Sequence, residues 1–326
     1  MEILLLERLV PEAHAWLEAR HSVAYRPELA DADPADLRRE VYKAQAVVLS
    51  RKAVVTREFL DFAPRLKAVA RLHEGTDNTD LEACRERRVR VIQASTANLR
   101  SNAEYLLGGL LSLYRRGIAE SITGQRHATI RLGRELHGST VGLLGLAPSA
   151  HPLAMMLQSL GVKLVGYDPA VHQTSSVWGR LNVRPVSLSE LVSQADAVAV
   201  QVLYASRYQG FINDKVLAQC KPGQVWVSTT RSDFFDRSAL ASALADGRIE
   251  AALMDAAESG FASRGSPLHD CANLYLTPRL GSHTRESRGR ASWYVAQRIH
   301  ETLTATSPSI FDQLPSGMMG LEAGAA

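Results

Sequence analysis

The chain has 326 residues, 46% of them apolar and 22% charged, which suits a globular protein with room for two domain cores. Its net charge of +3 argues against a nucleic-acid groove, and the arginines of "LEACRERRVR" alternate with acids as on a solvated face. No apolar run approaches the ~20 residues of a membrane span, "MEILLLERLV" lacks the basic lead of a signal peptide, and Cys84, Cys220 and Cys271 stand too far apart for a zinc site or disulfide framework, so a cytoplasmic protein without a metal is expected.

From the N-terminus, "EILLL" (2–6), "AVVLS" (46–50), "LKAVARL" (66–72) and "VRVIQA" (89–94) read as short buried strands. Between them, "PEAHAWLEAR", "DPADLRREVYKA" and "TREFLDFAP" carry helix-spaced apolar residues, so a parallel sheet is expected. "SNAEYLLGGLLSLYRRG" (101–117) predicts one long helix, apolar over a wide face, followed by a polar stretch to about residue 138. A second β/α series begins at "STVGLLGLA" and continues through strands at 162–168, 183–187, 197–203, 224–230, 251–255 and 274–278. A final helix pattern at 287–305 is long enough to return to the first layer, ahead of a tail rich in Ser, Pro, Gly and Ala. The chain reads as two related α/β layers, the second inserted into the first.

The turn after the strand beginning at "STVGLL" carries the cofactor signal. A dinucleotide fingerprint places glycines at G-x-G-x-x-G, between a strand and a helix. Here those positions are Gly145, Ala147 and Ala150, with Pro148 between them. Gly145 still permits the tight turn, but Ala147 adds a methyl where the backbone approaches the pyrophosphate, and Pro148 removes one N–H from the anion cradle. Ser149 as N-cap would place Pro152 in the first helical turn and turn its hydroxyl to the helix mouth. Asp168, in "GYDP" at the end of the next strand, is positioned for the ribose hydroxyls of NAD and repels the extra phosphate of NADP.

Five stretches in order, "GTDNTDLEAC" (75–84), "ANLRSNAEYLL" (97–107), "GRELHGSTVGLLGLA" (133–147), "INDKVLAQCKPGQVWVSTTR" (212–231) and "LTPRLGSHT" (276–284), resemble the D-isomer-specific 2-hydroxyacid dehydrogenase family. The resemblance implies an α/β protein with two Rossmann- or flavodoxin-like domains and parallel sheets. A substrate domain (1–100 and 287–326) would carry an inserted NAD-binding domain (101–286). It also implies a homodimer and a small-molecule acid as substrate. In the family an Arg binds the substrate carboxylate, a His moves the proton and a Glu pairs with that His. Those positions fall on Arg231, on Arg279 and on Glu258. The family's substrate loop falls on His73, Glu74 and Gly75, and its Gly-Gly after the Arg on Ser232 and Asp233. The His and Pro after its fourth nucleotide-domain strand become Gln201 and Leu203. Asp255 and Thr230 match cofactor-side positions.

Arg279 is the departure with the largest chemical consequence. Ketone reduction needs a proton delivered near neutral pH, and a guanidinium with pKa above ~12 cannot cycle one. His73 and His283 are the possible substitutes. Arg231 and Arg279 together would suit a dicarboxylate or phosphorylated acid, whereas Glu74 would repel one if it faced the substrate. The expected function is therefore NAD-dependent oxidoreduction of a small 2-hydroxy or 2-keto acid with altered proton transfer. The alternative is a divergent or inactive homologue: a binder or non-redox protein on this scaffold, with Glu258 and Arg279 joined in a salt bridge.

Overall fold

All strand pairing among the described residues is parallel, and each crossover lays its connecting segment back over a sheet face. The computed structural model describes residues 2–30, 34–73, 78–115, 132–255 and 257–305. They divide into two compact units, one built from Met1–Asn98 together with the segment from Thr284 onward, the other from Leu99–His283.

The first unit holds five strands: β1 (Ile3–Leu5), β2 (Val23–Tyr25), β3 (Ala46–Val48), β4 (Ala68–Arg71) and β5 (Arg90–Gln93). Their order is β2-β1-β3-β4-β5, the flavodoxin arrangement. Ile3, Leu4, Leu5, Ala46, Val47 and Val48 are all fully buried, as strands covered on both faces must be. β2 was not legible in the sequence: it is three half-exposed residues at the sheet edge. Helix Arg285–Thr304, capped by the Thr284 hydroxyl accepting from Ser287 N–H, buries Ala291, Val295, Ala296 and Ile299 in the same core as Ile3, Leu5, Val48 and Ala70.

The second unit holds β6 (Thr140–Leu144), β7 (Lys163–Tyr167), β8 (Arg184–Pro185), β9 (Ala197–Val200), β10 (Gln224–Ser228), β11 (Ile249–Asp255) and β12 (Leu274–Thr277). Their order, β12-β11-β10-β9-β6-β7-β8, is the doubly wound Rossmann arrangement with one added strand. The strand expected over 183–187 shrinks to Arg184–Pro185, because a proline cannot donate to a ladder and sits only at an edge. Helix Leu99–Tyr114 opens this unit. Near its start the Ser101 hydroxyl donates to the Gly281 carbonyl, close to where the unit ends.

Strand order reverses between β1 and β3 in the first sheet and between β6 and β9 in the second. Ligands of open α/β sheets bind outside the carboxyl ends of the strands at such reversals. No described helix is long and apolar enough to cross a membrane.

Candidate active site

The turn after β6 lies at the second unit's reversal. Gly145 has φ +102°, and a Cβ there would come within 2.4 Å of Val202 N, so the turn lies against the backbone that follows β9 and tolerates only glycine. Helix Ala150–Ser159 begins at once, with Pro152 in its first turn. The Ser149 hydroxyl does not cap it. Ser149 has helical torsions and donates instead to Gln201 Oε1 at 3.0 Å. The reason is competition: Gln201, 2% exposed at the end of β9, offers a buried acceptor that the serine satisfies at no exposure.

Few main-chain donors remain in this turn. Gly145 N–H donates to Tyr167 O, Leu146 N–H to Asp168 Oδ2 at 2.6 Å, Ala150 N–H to Ala147 O and His151 N–H to Pro148 O. Pro148 and Pro152 have no N–H. Among the described residues, the amides of Ala147 and Ser149 are the ones in this turn left for an anion. Asp168 also accepts from Ala170 N–H at 2.7 Å, so each carboxylate oxygen keeps a lone pair for a further donor. The remaining donors at the mouth of helix Ala150–Ser159 fit a dinucleotide phosphate.

The catalytic positions carried over from the family lie on the loops after β10, β11 and β12. Arg231 Nε donates to Glu258 Oε1 at 3.1 Å, its Nη2 lies 3.5 Å from Asp233 Oδ2, and its guanidinium stacks 4.8 Å from the Tyr204 ring centre. Glu258 Oε2 accepts from the Ser232 N–H at 3.0 Å and from the Ser232 hydroxyl. Ser232 Oγ in turn accepts from Glu258 N–H at 3.0 Å. The expected Glu258–Arg279 pair is therefore not made: Glu258 is held by Arg231 and Ser232. Arg279 is exposed, has φ +61° and has no ion-pair partner among the described residues.

Asp255 fixes the loop that carries Arg279. Its Oδ1 accepts from the Thr277 hydroxyl and from Leu280 N–H, both at 2.7 Å, and its Oδ2 from Gly281 N–H at 2.8 Å. Tyr105 hydrogen-bonds Thr277 at 2.6 Å, and burial pushes its phenol up. Thr230 directs its hydroxyl to Val202 O at 3.1 Å, behind the glycine turn. His283 is exposed.

In the first unit, His73 follows β4 and is largely buried, with Nδ1 3.9 Å from Glu7 Oε2. Glu7 follows β1, at that sheet's reversal, and its Oε1 accepts from Arg288 Nη1 at 2.9 Å. Burial pushes the Glu7 carboxyl up, against the opposing pull of Arg288, Arg51 and Arg71. Arg71 is 1% exposed and donates to the carbonyls of Ser50, Ala53 and Asn78, fixing the loop after β3. Glu7 and Arg288 were missed in the sequence because their relation to His73 spans nearly the whole chain. Their only signal was Glu7's place at the end of the first strand. Glu74 and Gly75 lie outside the described residues.

Comparison with known proteins bears on both units. The family model described as "D-isomer specific 2-hydroxyacid dehydrogenase, NAD binding domain" matches residues 107–281. The (S)-sulfolactate dehydrogenase of Chromohalobacter salexigens is 33% identical over 306 residues, 93% of this chain and 98% of that one. The D-3-phosphoglycerate dehydrogenase of Mycobacterium tuberculosis is 32% identical over 92% of this chain, which spans only 56% of that longer relative. Among solved structures, the TT0316 protein of Thermus thermophilus superposes with a TM-score of 0.79 at 26% identity, covering 93% of this chain and 97% of that one.

Proposed function

This chain belongs to the D-isomer specific 2-hydroxyacid dehydrogenase family, and from that premise we propose that it is an NAD-dependent oxidoreductase of a small 2-hydroxy acid bearing a second anion, with altered proton transfer. That the chain is a nicotinamide-dependent, dehydrogenase-like enzyme follows from its family; the substrate, the residue roles and the choice of dinucleotide are our reading. The inserted unit is proposed to bind the cofactor and the outer unit to contribute to the substrate side. When bound, the nicotinamide accepts or donates the hydride. Asp168 supports NAD over NADP: its charge opposes a 2′-phosphate, and "DPAVHQ" supplies no Arg or Lys to receive one. The three cysteines are all unbridged, which supports a cytoplasmic setting. Exposed Leu111 and Met155, on two helices of the second unit, support a homodimer.

Arg231 is proposed to bind the substrate carboxylate. Glu258 and Asp233 flank it, so a second cation is needed to hold a doubly anionic acid; Arg279, without an acid partner among the described residues, supplies it. The relatives named for sulfolactate and 3-phosphoglycerate act on acids of that type. For proton exchange His73 is favoured over His283, because Glu7 faces its Nδ1 and can stabilise an imidazolium.

The observation that carries this reading is the engagement of Glu258 by Arg231 and Ser232, which leaves position 279 without a carboxylate partner among the described residues. The test is NADH oxidation with a panel of 2-keto acids carrying or lacking a second anion, on the unaltered protein, His73→Asn and His283→Asn. Turnover confined to doubly anionic acids and lost only in His73→Asn is expected. Unchanged turnover in His73→Asn would remove the assignment of that histidine, and no turnover with any acid would favour the ligand-binding alternative.

A further inference from the structure

Gln201 holds a polar atom that the described residues leave unsatisfied. Its side chain is 2% exposed, its Oε1 accepts from Ser149 Oγ, and its Nε2 is buried with no hydrogen-bond partner among the described residues. A buried donor without an acceptor costs stability, and native proteins keep few of them. This one follows β9 at the strand-order reversal, tied by its other arm to the residue preceding helix Ala150–Ser159. The turn beside it has lost donors: Pro148 and Pro152 carry none, and the N–H groups of Leu146, Ala150 and His151 are engaged.

We infer that Gln201 Nε2 is a ligand of the cofactor's pyrophosphate, replacing with a side-chain amide the main-chain donor that Pro148 has cost the turn. The assignment rests on the dinucleotide reading of this unit. The Ser149 hydroxyl sets the orientation of the amide, because by donating to Oε1 it leaves the two N–H bonds of Nε2 as the unmatched arm. An anion at the mouth of a ten-residue helix meets the positive end of the helix dipole, the Ala147 and Ser149 amides and this one side-chain donor. Nε2 is closed to solvent, so binding is expected to shift the turn that carries Ser149 as the phosphate reaches it.

The test compares the unaltered protein with Gln201→Leu, which keeps the volume and removes the donor. Gln201→Met is the substitute should the leucine variant not fold. ADP binding is measured by calorimetry and NADH binding by fluorescence, with adenosine, followed by ligand-observed NMR, as the probe without a phosphate. Hydrogen bonds to charged groups predict Kd values for ADP and NADH weaker by about 10-fold to 100-fold in the variant, with adenosine unchanged and the melting temperature of the ligand-free protein held. ADP and NADH binding the variant as tightly as the parent would overturn the assignment while leaving the cofactor reading in place. Failure of the unaltered protein to bind ADP or NADH would remove that reading and the assignment with it.

Discussion

At position 279 the backbone setting is one that a histidine also accepts. Arg279 has φ +61°, a left-handed conformation in which histidine is enriched and β-branched residues are not. Its side chain is exposed, and its loop is held by Asp255 through Thr277, Leu280 and Gly281. Arg279→His is therefore expected to leave stability within about 0.5 kcal/mol of the parent in thermal melts. The same variant is expected to gain little keto-acid reduction, because Glu258 is engaged by Arg231 and Ser232 and does not orient the new imidazole. A rise in kcat/KM approaching that of an intact His–Glu pair would show that Glu258 is not so engaged in solution. That position 279 holds an arginine is read directly from the sequence. What it could not announce was the new partner of Glu258, since hydrogen bonding between residues 27 positions apart depends on how two loops are laid side by side.

Strands and their ties carry the pH response. Asp196, just before β9, accepts from Thr140 N–H at 2.8 Å at the start of β6 and pairs with Lys221 ahead of β10. Burial alone would raise this carboxyl, but Lys221, the Thr140 N–H and Arg134 together hold it below its ordinary value of 3.8. A folded-state value below the unfolded one contributes stability above pH 3.8, and that contribution fades as the pH falls through and below it. Asp196→Asn is thus expected to flatten the acid limb of a melting-temperature profile recorded from about pH 5 to pH 2, with a parallel loss at neutral pH of about 1 kcal/mol. An acid limb as steep as the parent's would exclude Asp196 as its source. The long apolar runs that became β1, β3, β4, β6, β9 and β10 were plain from the sequence, because strands buried on both faces need unbroken hydrophobic residues. Edge strands were not: β2 has no burial requirement strong enough to leave a pattern, and β8 is cut short by Pro185. The glycine turn was legible for the same reason that it is constrained, whereas the Ser149–Gln201 bond joins two loops and has no local signature.

For the whole molecule, the first unit is closed by a helix from the far end of the chain. Helix Arg285–Thr304 supplies Ala291, Val295, Ala296 and Ile299 to a core otherwise made before residue 98. Burying a Val or Ile side chain contributes roughly 1.5–3 kcal/mol, so losing this face removes much of a typical 5–15 kcal/mol margin. A chain ending at His283 is expected to be cut by protease throughout residues 1–98 while a fragment near 99–283 persists. Equal resistance of both segments would show that the helix is dispensable. The sequence suggested this return because the last helix pattern was long; the residues that make the contact follow from its apolar positions. The Ser101–Gly281 hydrogen bond has a consequence of a different kind. It fastens the second unit's first helix to the end of its last loop, so the two ends of that unit are pinned together within the unit itself. A segment stitched shut in this way has the makings of a unit of recombination, since its closure comes from its own two ends and not from what flanks them.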